Sequence, residues 1–202
     1  MTNERIKIIC FDLGGVLLEV NWQLTLDYFN LTITPQKALL EIGQSQIYFE
    51  YEKGNIKAGE FAQYINQKYN CELSTEEFKL GWNKCLTGAI NGTAEIIDSI
   101  PHHYKIFALS NTNQEHYDYY RHFSFFKKFK KIIASQHLGL RKPDPLIYQK
   151  AIELINHPPQ EILYFDDLIE NVEGAEKAFM NALHIKDPIK DLTAGLKKFG
   201  VI

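Results

Sequence analysis

Four short segments of this 202-residue chain place reactive side chains directly after, or just beyond, apolar runs. Asp12 follows IKIICF and opens the turn Leu13-Gly14-Gly15-Val16. Ser110-Asn111 follows FAL, Asp166-Asp167 follows LYF, and Lys142 sits in GLRKPDPLIY. Two or three carboxylates brought to one spot repel each other and are stable together only with a cation. Aspartate oxygens and backbone carbonyls are hard ligands that suit Mg²⁺. With the metal neutralising the site and a bound phosphate, Asp12 can attack phosphorus and form an aspartyl-phosphate. The Ser110 hydroxyl, Asn111 and nearby backbone N–H groups can bind the phosphate oxygens. Lys142 places positive charge where negative charge accumulates. Gly14 and Gly15 let the backbone turn sharply and approach a ligand closely.

These groups are far apart in the chain, so the fold must gather them. Short apolar runs rich in β-branched or aromatic residues predict strands over 6–11, 104–109, 131–135, 161–165 and, more weakly, 181–185. Helical patterns over 91–100, 113–122, 145–155, 170–179 and 189–199 separate or follow the later strands. Strands alternating with helices imply an α/β fold, a Rossmann-like parallel sheet of about five strands sandwiched by helices. Ligands in such sheets bind at the carboxyl ends of the strands, beside a topological switch point.

Residues 17–88 break this rhythm. They show no clear strand and read as helices over parts of 22–30, 35–43, 45–53, 58–69 and 74–87, the last opened by a Ser74-x-x-Glu77 capping box. A stretch of this length is too long for a crossover loop. It reads as an inserted α-helical cap over the catalytic end of the sheet. The core is then 1–16 and 89–202, with hinges near 16–20 and 88–91.

Composition narrows the function classes. Hydrophobic residues make up 45% of the chain and the net charge is −3, so no global charge points to nucleic acid or an anionic membrane. The aromatic and basic run at 126–131 reads as a solvated helix end with two anchoring rings rather than a nucleic-acid surface. Three scattered cysteines form neither a disulfide framework nor a zinc motif. The polar N-terminus does not read as a signal peptide, and no apolar run is long enough to span a bilayer. A soluble, cytoplasmic protein with a small-molecule substrate is expected; the oligomeric state is not readable from the sequence, a monomer being the favoured reading.

FDLGGV, LSNTN, RKPDPLIY and FDDLIEN, in this order, resemble the four motifs of the haloacid dehalogenase-like (HAD) hydrolase superfamily, and the helical insertion resembles its C1 cap. Within it the segments are similar to bacterial phosphatases acting on α-D-glucose 1-phosphate. The resemblance implies that Asp12 is the nucleophile and that Asp12, the Gly14 carbonyl and Asp167 hold Mg²⁺. It implies that Ser110, Asn111, Gly15 and Lys142 bind phosphate, Lys142 also orienting the nucleophile, and that Asp166 and Asn171 support the metal site. One departure is chemical. Most phosphatases of this superfamily carry a second aspartate two residues after the nucleophile, as acid and base, where this chain has Gly14. General acid–base help is worth about 10²–10⁴-fold. Glu19, Asn21, a His or Glu of the cap, bound water or the substrate's own hydroxyls are candidate substitutes. A good leaving group such as an anomeric phosphate needs less protonation, which favours a sugar 1-phosphate. The competing readings are a 2-haloacid dehalogenase-type hydrolase, which needs no metal, and a catalytically weak phosphate-binding regulatory protein.

Overall fold

The computed structural model describes residues 6–202; residues 1–5, part of the polar N-terminal stretch, lie outside it. Five parallel strands form the main sheet in the order β5-β4-β1-β6-β7. They are β1 (Ile8–Phe11), β4 (Lys105–Ser110), β5 (Phe129–Ala134), β6 (Ile162–Asp166) and β7 (Asn181–His184). The chain leaves β1 toward β4 and β5 on one side, then returns to β6 and β7 on the other. The switch point is therefore β1, flanked by β4 and β6, and Asp12 leaves its carboxyl end.

Strand period decides which residues share a face. Ile9, Phe11, Leu163 and Phe165 join one core with Ile96 and Ile97 of α6 (Thr93–Ser99) and Leu192 and Leu196 of α11 (Pro188–Lys198). Ile8, Cys10, Ile162 and Tyr164 join the opposite core with Ile147, Tyr148 and Ala151 of α9 (Pro145–Ile155) and Ala175 of α10 (Ile169–Lys177). Cys10 stands beside Tyr164 and Phe11 beside Phe165 in the ladder, and the Asp12 N–H donates to the Phe165 carbonyl at 2.8 Å. That register brings Asp12 abreast of Asp166.

The cap has its own core. Its helices are α1 (Trp22–Tyr28), α2 (Pro35–Ala38), α3 (Gln46–Glu52), α4 (Ala58–Tyr69) and α5 (Thr75–Trp82). Trp82, 1% exposed, is the hub, with Trp22, Tyr48, Tyr51, Phe61 and Phe78 rings between 5.2 and 6.1 Å from it. The anticipated capping box is formed: the Ser74 hydroxyl accepts from Glu77 N–H and the Glu77 carboxylate accepts from Ser74 N–H at 2.8 Å.

Four expectations need correction. The stretch 17–88 contains strands. β2 (Leu18–Val20) and β3 (Leu86–Ala89) form an antiparallel two-stranded ribbon between sheet and cap. Each is too short for a readable alternation, and their pairing spans the whole insertion. The helix read over 74–87 ends at Trp82, and a 3₁₀ turn (Asn83–Cys85) leads into β3. The helix read over 35–43 is a single α turn followed by a π turn (Leu39–Gly43). The run at 126–131 is a 3₁₀ turn (Ser124–Lys128) entering edge strand β5, with the Phe126 and Phe129 rings edge to face at 5.0 Å and Lys130 and Lys131 exposed. Among the described residues no helix is long and apolar enough to cross a membrane.

Because Trp82 joins so many rings, Trp82→Ala is expected to cost about 3–5 kcal/mol, the usual range for emptying a buried aromatic site. Urea denaturation followed by circular dichroism measures it; a loss below about 1 kcal/mol means the cap core is not organised around this ring.

Candidate active site

The site grows from four strand ends and the loop that carries Lys142. Lys142 is 1% exposed, and its ammonium lies 2.9 Å from Asp12 Oδ1, 2.6 Å from Asp166 Oδ2, 3.0 Å from the Leu109 carbonyl and 2.8 Å from the Tyr164 hydroxyl. Burial alone would lower the Lys142 ammonium, but Asp12 and Asp166 outweigh it and hold it above the ordinary lysine value. The loop is set by Asn111: its Oδ1 accepts from Lys142 N–H at 2.7 Å and its Nδ2 donates to the Lys142 carbonyl at 3.0 Å. With the side chain so engaged, Asn111 has its backbone N–H and second amide proton left for a ligand. Ser110 ends β4, 3% exposed, and lines the same cavity.

Asp12, Asp166 and Asp167 can each bring an oxygen within 4.8 Å of the others. Their hydrogen bonds separate their capacities. Asp166 accepts from Leu168 N–H and Asn171 Nδ2 on Oδ1, both at 2.9 Å, and from Lys142 and the Tyr164 hydroxyl on Oδ2. A carboxylate offers about four lone-pair directions, and here all are filled. Asp12 keeps its second oxygen, and Asp167 faces the cavity. The Gly14 carbonyl accepts no hydrogen bond from the described residues. These three groups form a hard-oxygen set that fits Mg²⁺. Burial first, then Asp166 and Asp167 against the pull of Lys142, raises Asp12 to about 7; burial and then Asp166 raise Asp167 to about 6. Three carboxylates and one ammonium leave the cluster two charges negative, matching one divalent cation.

The two glycines differ. Gly15 has φ +72°, and a Cβ there would sit 2.5 Å from Asp167 Oδ2, so only glycine lets the loop pass this carboxylate. A Cβ on Gly14 would meet nothing nearer than Val20 at 3.5 Å, so a first side-chain carbon can be placed here. Among the candidate substitutes, Asn21 is occupied in capping α1, accepting from Gln23 N–H at 3.1 Å. Glu19 accepts from the Thr87 hydroxyl at 2.9 Å and lines the cavity.

A cavity of about 580 Å³ opens from this cluster toward the cap. Trp22, Tyr48, Glu52, His116 and Arg141 line its farther walls. Burial lowers His116 to about 4, so its ring is neutral, stacked on Trp82 with Nε2 3.1 Å from the Trp82 carbonyl. Among the cap aromatics, Trp82 and Tyr51 are core, Trp22 and Tyr48 face the cavity, and Phe49 packs on the Arg141 guanidinium. Sequence reasoning missed Tyr164, although its i, i+2 spacing from Asp166 puts both on one face of β6. It also missed His184, whose Nε2 lies 2.9 Å from the Asp167 carbonyl.

A parallel sheet with carboxylates and a lysine gathered at its switch point beneath a helical cap defines a capped α/β hydrolase. The chain belongs to the haloacid dehalogenase-like hydrolases, whose family model matches residues 6–178. It is 28% identical over 184 residues to D-ribitol-5-phosphate phosphatase of Bacteroides thetaiotaomicron, covering 86% of this chain and 89% of that one. It is 25% identical over 202 residues to drimenol cyclase drtB of Aspergillus calidoustus, covering 92% of this chain but only 35% of that protein, so it spans about a third of that relative. The crystal structure of an alanine variant of the HAD family enzyme bt-2542 from B. thetaiotaomicron, complexed with magnesium and inorganic phosphate, superposes with a TM-score of 0.76 at 26% identity. It covers 90% of this chain and 94% of that one.

Asp12 and Asp167 are raised well above the ordinary aspartate value of about 3.9. Without metal, the folded chain therefore binds more protons than the unfolded chain between about pH 4 and 7. Their stabilising contribution is present at low pH and is lost as pH rises through about 6 to 7. Mg²⁺ competes with those protons. It is expected to raise Tm more at pH 8 than at pH 5.5, and Asp167→Asn is expected to shrink that difference. Calorimetric scans with and without Mg²⁺ test this; an equal Mg²⁺ shift at both pH values contradicts it.

Proposed function

We propose that this chain is a Mg²⁺-dependent phosphomonoesterase acting on a small phosphorylated metabolite through an aspartyl-phosphate at Asp12. The observation that carries the reading is the Asp12–Lys142–Asp166 arrangement beside Asp167, opening into the cavity between sheet and cap. Asp12, Asp167 and the Gly14 carbonyl are the metal ligands in this reading, and the bound ion would offset the charge of the phosphate and of the cluster. Lys142 holds one Asp12 oxygen still and leaves the other to attack phosphorus, while its charge faces the phosphoryl oxygens. Ser110 and the Asn111 backbone N–H bind those oxygens and Lys142 adds its charge behind them, whereas the Gly15 N–H is already given to the Leu18 carbonyl at 3.0 Å and is not a phosphate donor here. Asp166 and Asn171 brace Lys142 and the Asp167 loop. The helical segment 17–88 is the cap that encloses the leaving group, and 1–16 with 89–202 is the catalytic core.

Within this class we read the substrate as a sugar or sugar-alcohol phosphate, with glucose 1-phosphate one candidate. The support is the Trp22 and Tyr48 rings in the cavity wall, the relative named for D-ribitol 5-phosphate, and the chemistry of Gly14. With no acid at that position, a leaving oxygen of low basicity departs more readily.

Asp12→Asn is expected to abolish release of inorganic phosphate, at least 10³-fold, while the far-ultraviolet spectrum stays unchanged, and EDTA is expected to remove wild-type activity. Phosphate release that survives EDTA contradicts the Mg²⁺ dependence, halide release from a 2-haloacid without Mg²⁺ favours the dehalogenase chemistry, and turnover of neither with or without Mg²⁺ favours the regulatory reading. Gly14→Asp, whose Cβ would meet nothing nearer than Val20 at 3.5 Å, is expected to raise kcat on alkyl phosphates more than on p-nitrophenyl phosphate. An equal change on both would show that protonation of the leaving group does not limit the rate.

A further inference from the structure

The wall of the cavity carries one charged pair that the chemistry at Asp12 does not use. Glu52 is the last residue of α3 in the cap, and Arg141 stands immediately before Lys142 in the core. Arg141 Nε donates to Glu52 Oε2 at 2.9 Å, and the two side chains are only 21% and 6% exposed. Both face the cavity. The Phe49 ring lies flat against the guanidinium, 4.0 Å from its carbon. The Ser135 hydroxyl, 2.6 Å from the Glu52 carbonyl, ties the end of α3 to the core. Both charges are thus held in place before any substrate arrives.

The pair is only half used. One nitrogen of Arg141 and one oxygen of Glu52 meet each other, with the Tyr48 hydroxyl as a further neighbour of Glu52. The terminal guanidinium nitrogens have no hydrogen-bond partner among the described residues and are not sealed from the cavity. Three kinds of leaving group meet this wall differently. A second anionic group would find Arg141 already neutralised and Glu52 repelling it. An apolar group would strip water from both charges and return no hydrogen bonds, which is costly. A neutral alcohol with adjacent hydroxyls can accept from the guanidinium fork and donate to the Glu52 carboxylate. Its C–H faces can then rest on Trp22 and Tyr48.

Resting on the phosphomonoesterase reading, we infer that Arg141 and Glu52 are specificity-determining residues that select a neutral, polyhydroxylated leaving group through adjacent hydroxyls. The test is kcat/KM for Mg²⁺-loaded wild type, Glu52→Gln and Arg141→Met on D-ribitol 5-phosphate, glucose 1-phosphate, 3-phosphoglycerate and p-nitrophenyl phosphate. Wild type is expected to turn over the better polyol at least tenfold faster than 3-phosphoglycerate. In both variants the ratio of the better polyol to p-nitrophenyl phosphate is expected to fall, mainly through KM. The fall should be on the order of 10- to 100-fold, the worth of a charge-assisted hydrogen bond. A ratio that stays within threefold of wild type in a folded variant, or a preference for the acid, overturns the inference and leaves the phosphatase reading standing. Absence of hydrolysis on all four esters overturns both. Should the variants fail to fold, inhibition of wild-type p-nitrophenyl phosphate hydrolysis decides. Free ribitol is expected to inhibit at a concentration at least fivefold below 1,5-pentanediol, and equal inhibition overturns the inference.

Discussion

The arrangement on which the rest depends is a buried ammonium between two buried carboxylates. Lys142 touches Asp12 and Asp166 at 2.9 and 2.6 Å in a place from which water is nearly excluded. A buried ion is costly unless its partners and hydrogen bonds are complete. Completion is what the surrounding residues provide. Tyr164 and the Leu109 carbonyl finish the ammonium, and Asn171 and the Leu168 N–H finish Asp166. Asp12 alone in this network keeps an oxygen uncommitted. The same constraint that pays for burying Lys142 therefore leaves one reactive oxygen, aimed at the cavity.

The cap answers a different constraint. It is built around aromatic rings of its own and meets the core at few polar points. The Tyr51 hydroxyl donates to Glu115, the Ser135 hydroxyl meets the Glu52 carbonyl, and Arg141 pairs with Glu52. All three involve the end of α3, while the β2–β3 ribbon is the covalent attachment on the other side of the cavity. His116 Nε2, 3.1 Å from the Trp82 carbonyl, ties the end of α5 to the core as well, so the cap is held at several places around the cavity. The exposed apolar residues Val20, Leu39 and Leu168 also line this cavity.

Much of the core was legible because its signals are local. Apolar runs ending in Asp12, Ser110 and Asp166 read directly as buried strands, and parallel order then gathers those residues at one edge. Lys142 was legible only through its motif, since nothing in an isolated lysine before a proline predicts 1% exposure. The ribbon was not legible: strands of three and four residues carry almost no periodicity, and their partner lies some 70 residues away. The cavity wall was still less so. Glu52 and Arg141 are 89 positions apart, and no spacing rule connects a helix-end glutamate to a loop arginine. Tyr164 was hidden by its own strand pattern, where a tyrosine reads as one more apolar residue.

Gly14 ties the chemistry to the cavity. A Cβ there would meet only Val20, and at ordinary contact distance, so the immediate surroundings of the α-carbon do not demand glycine. A carboxylate at that position would, however, add a further negative charge beside three others balanced by a single lysine. In the proposed reading, its absence leaves electrostatic stabilisation by Lys142 and a bound Mg²⁺ as the main help the core can give. That help acts on the phosphoryl group and is nearly indifferent to what departs. Discrimination must then come from the basicity of the leaving oxygen and from contacts beyond it. Those further contacts belong to α3 and the Arg141 loop, where two half-used charges and two aromatic faces wait in the wall.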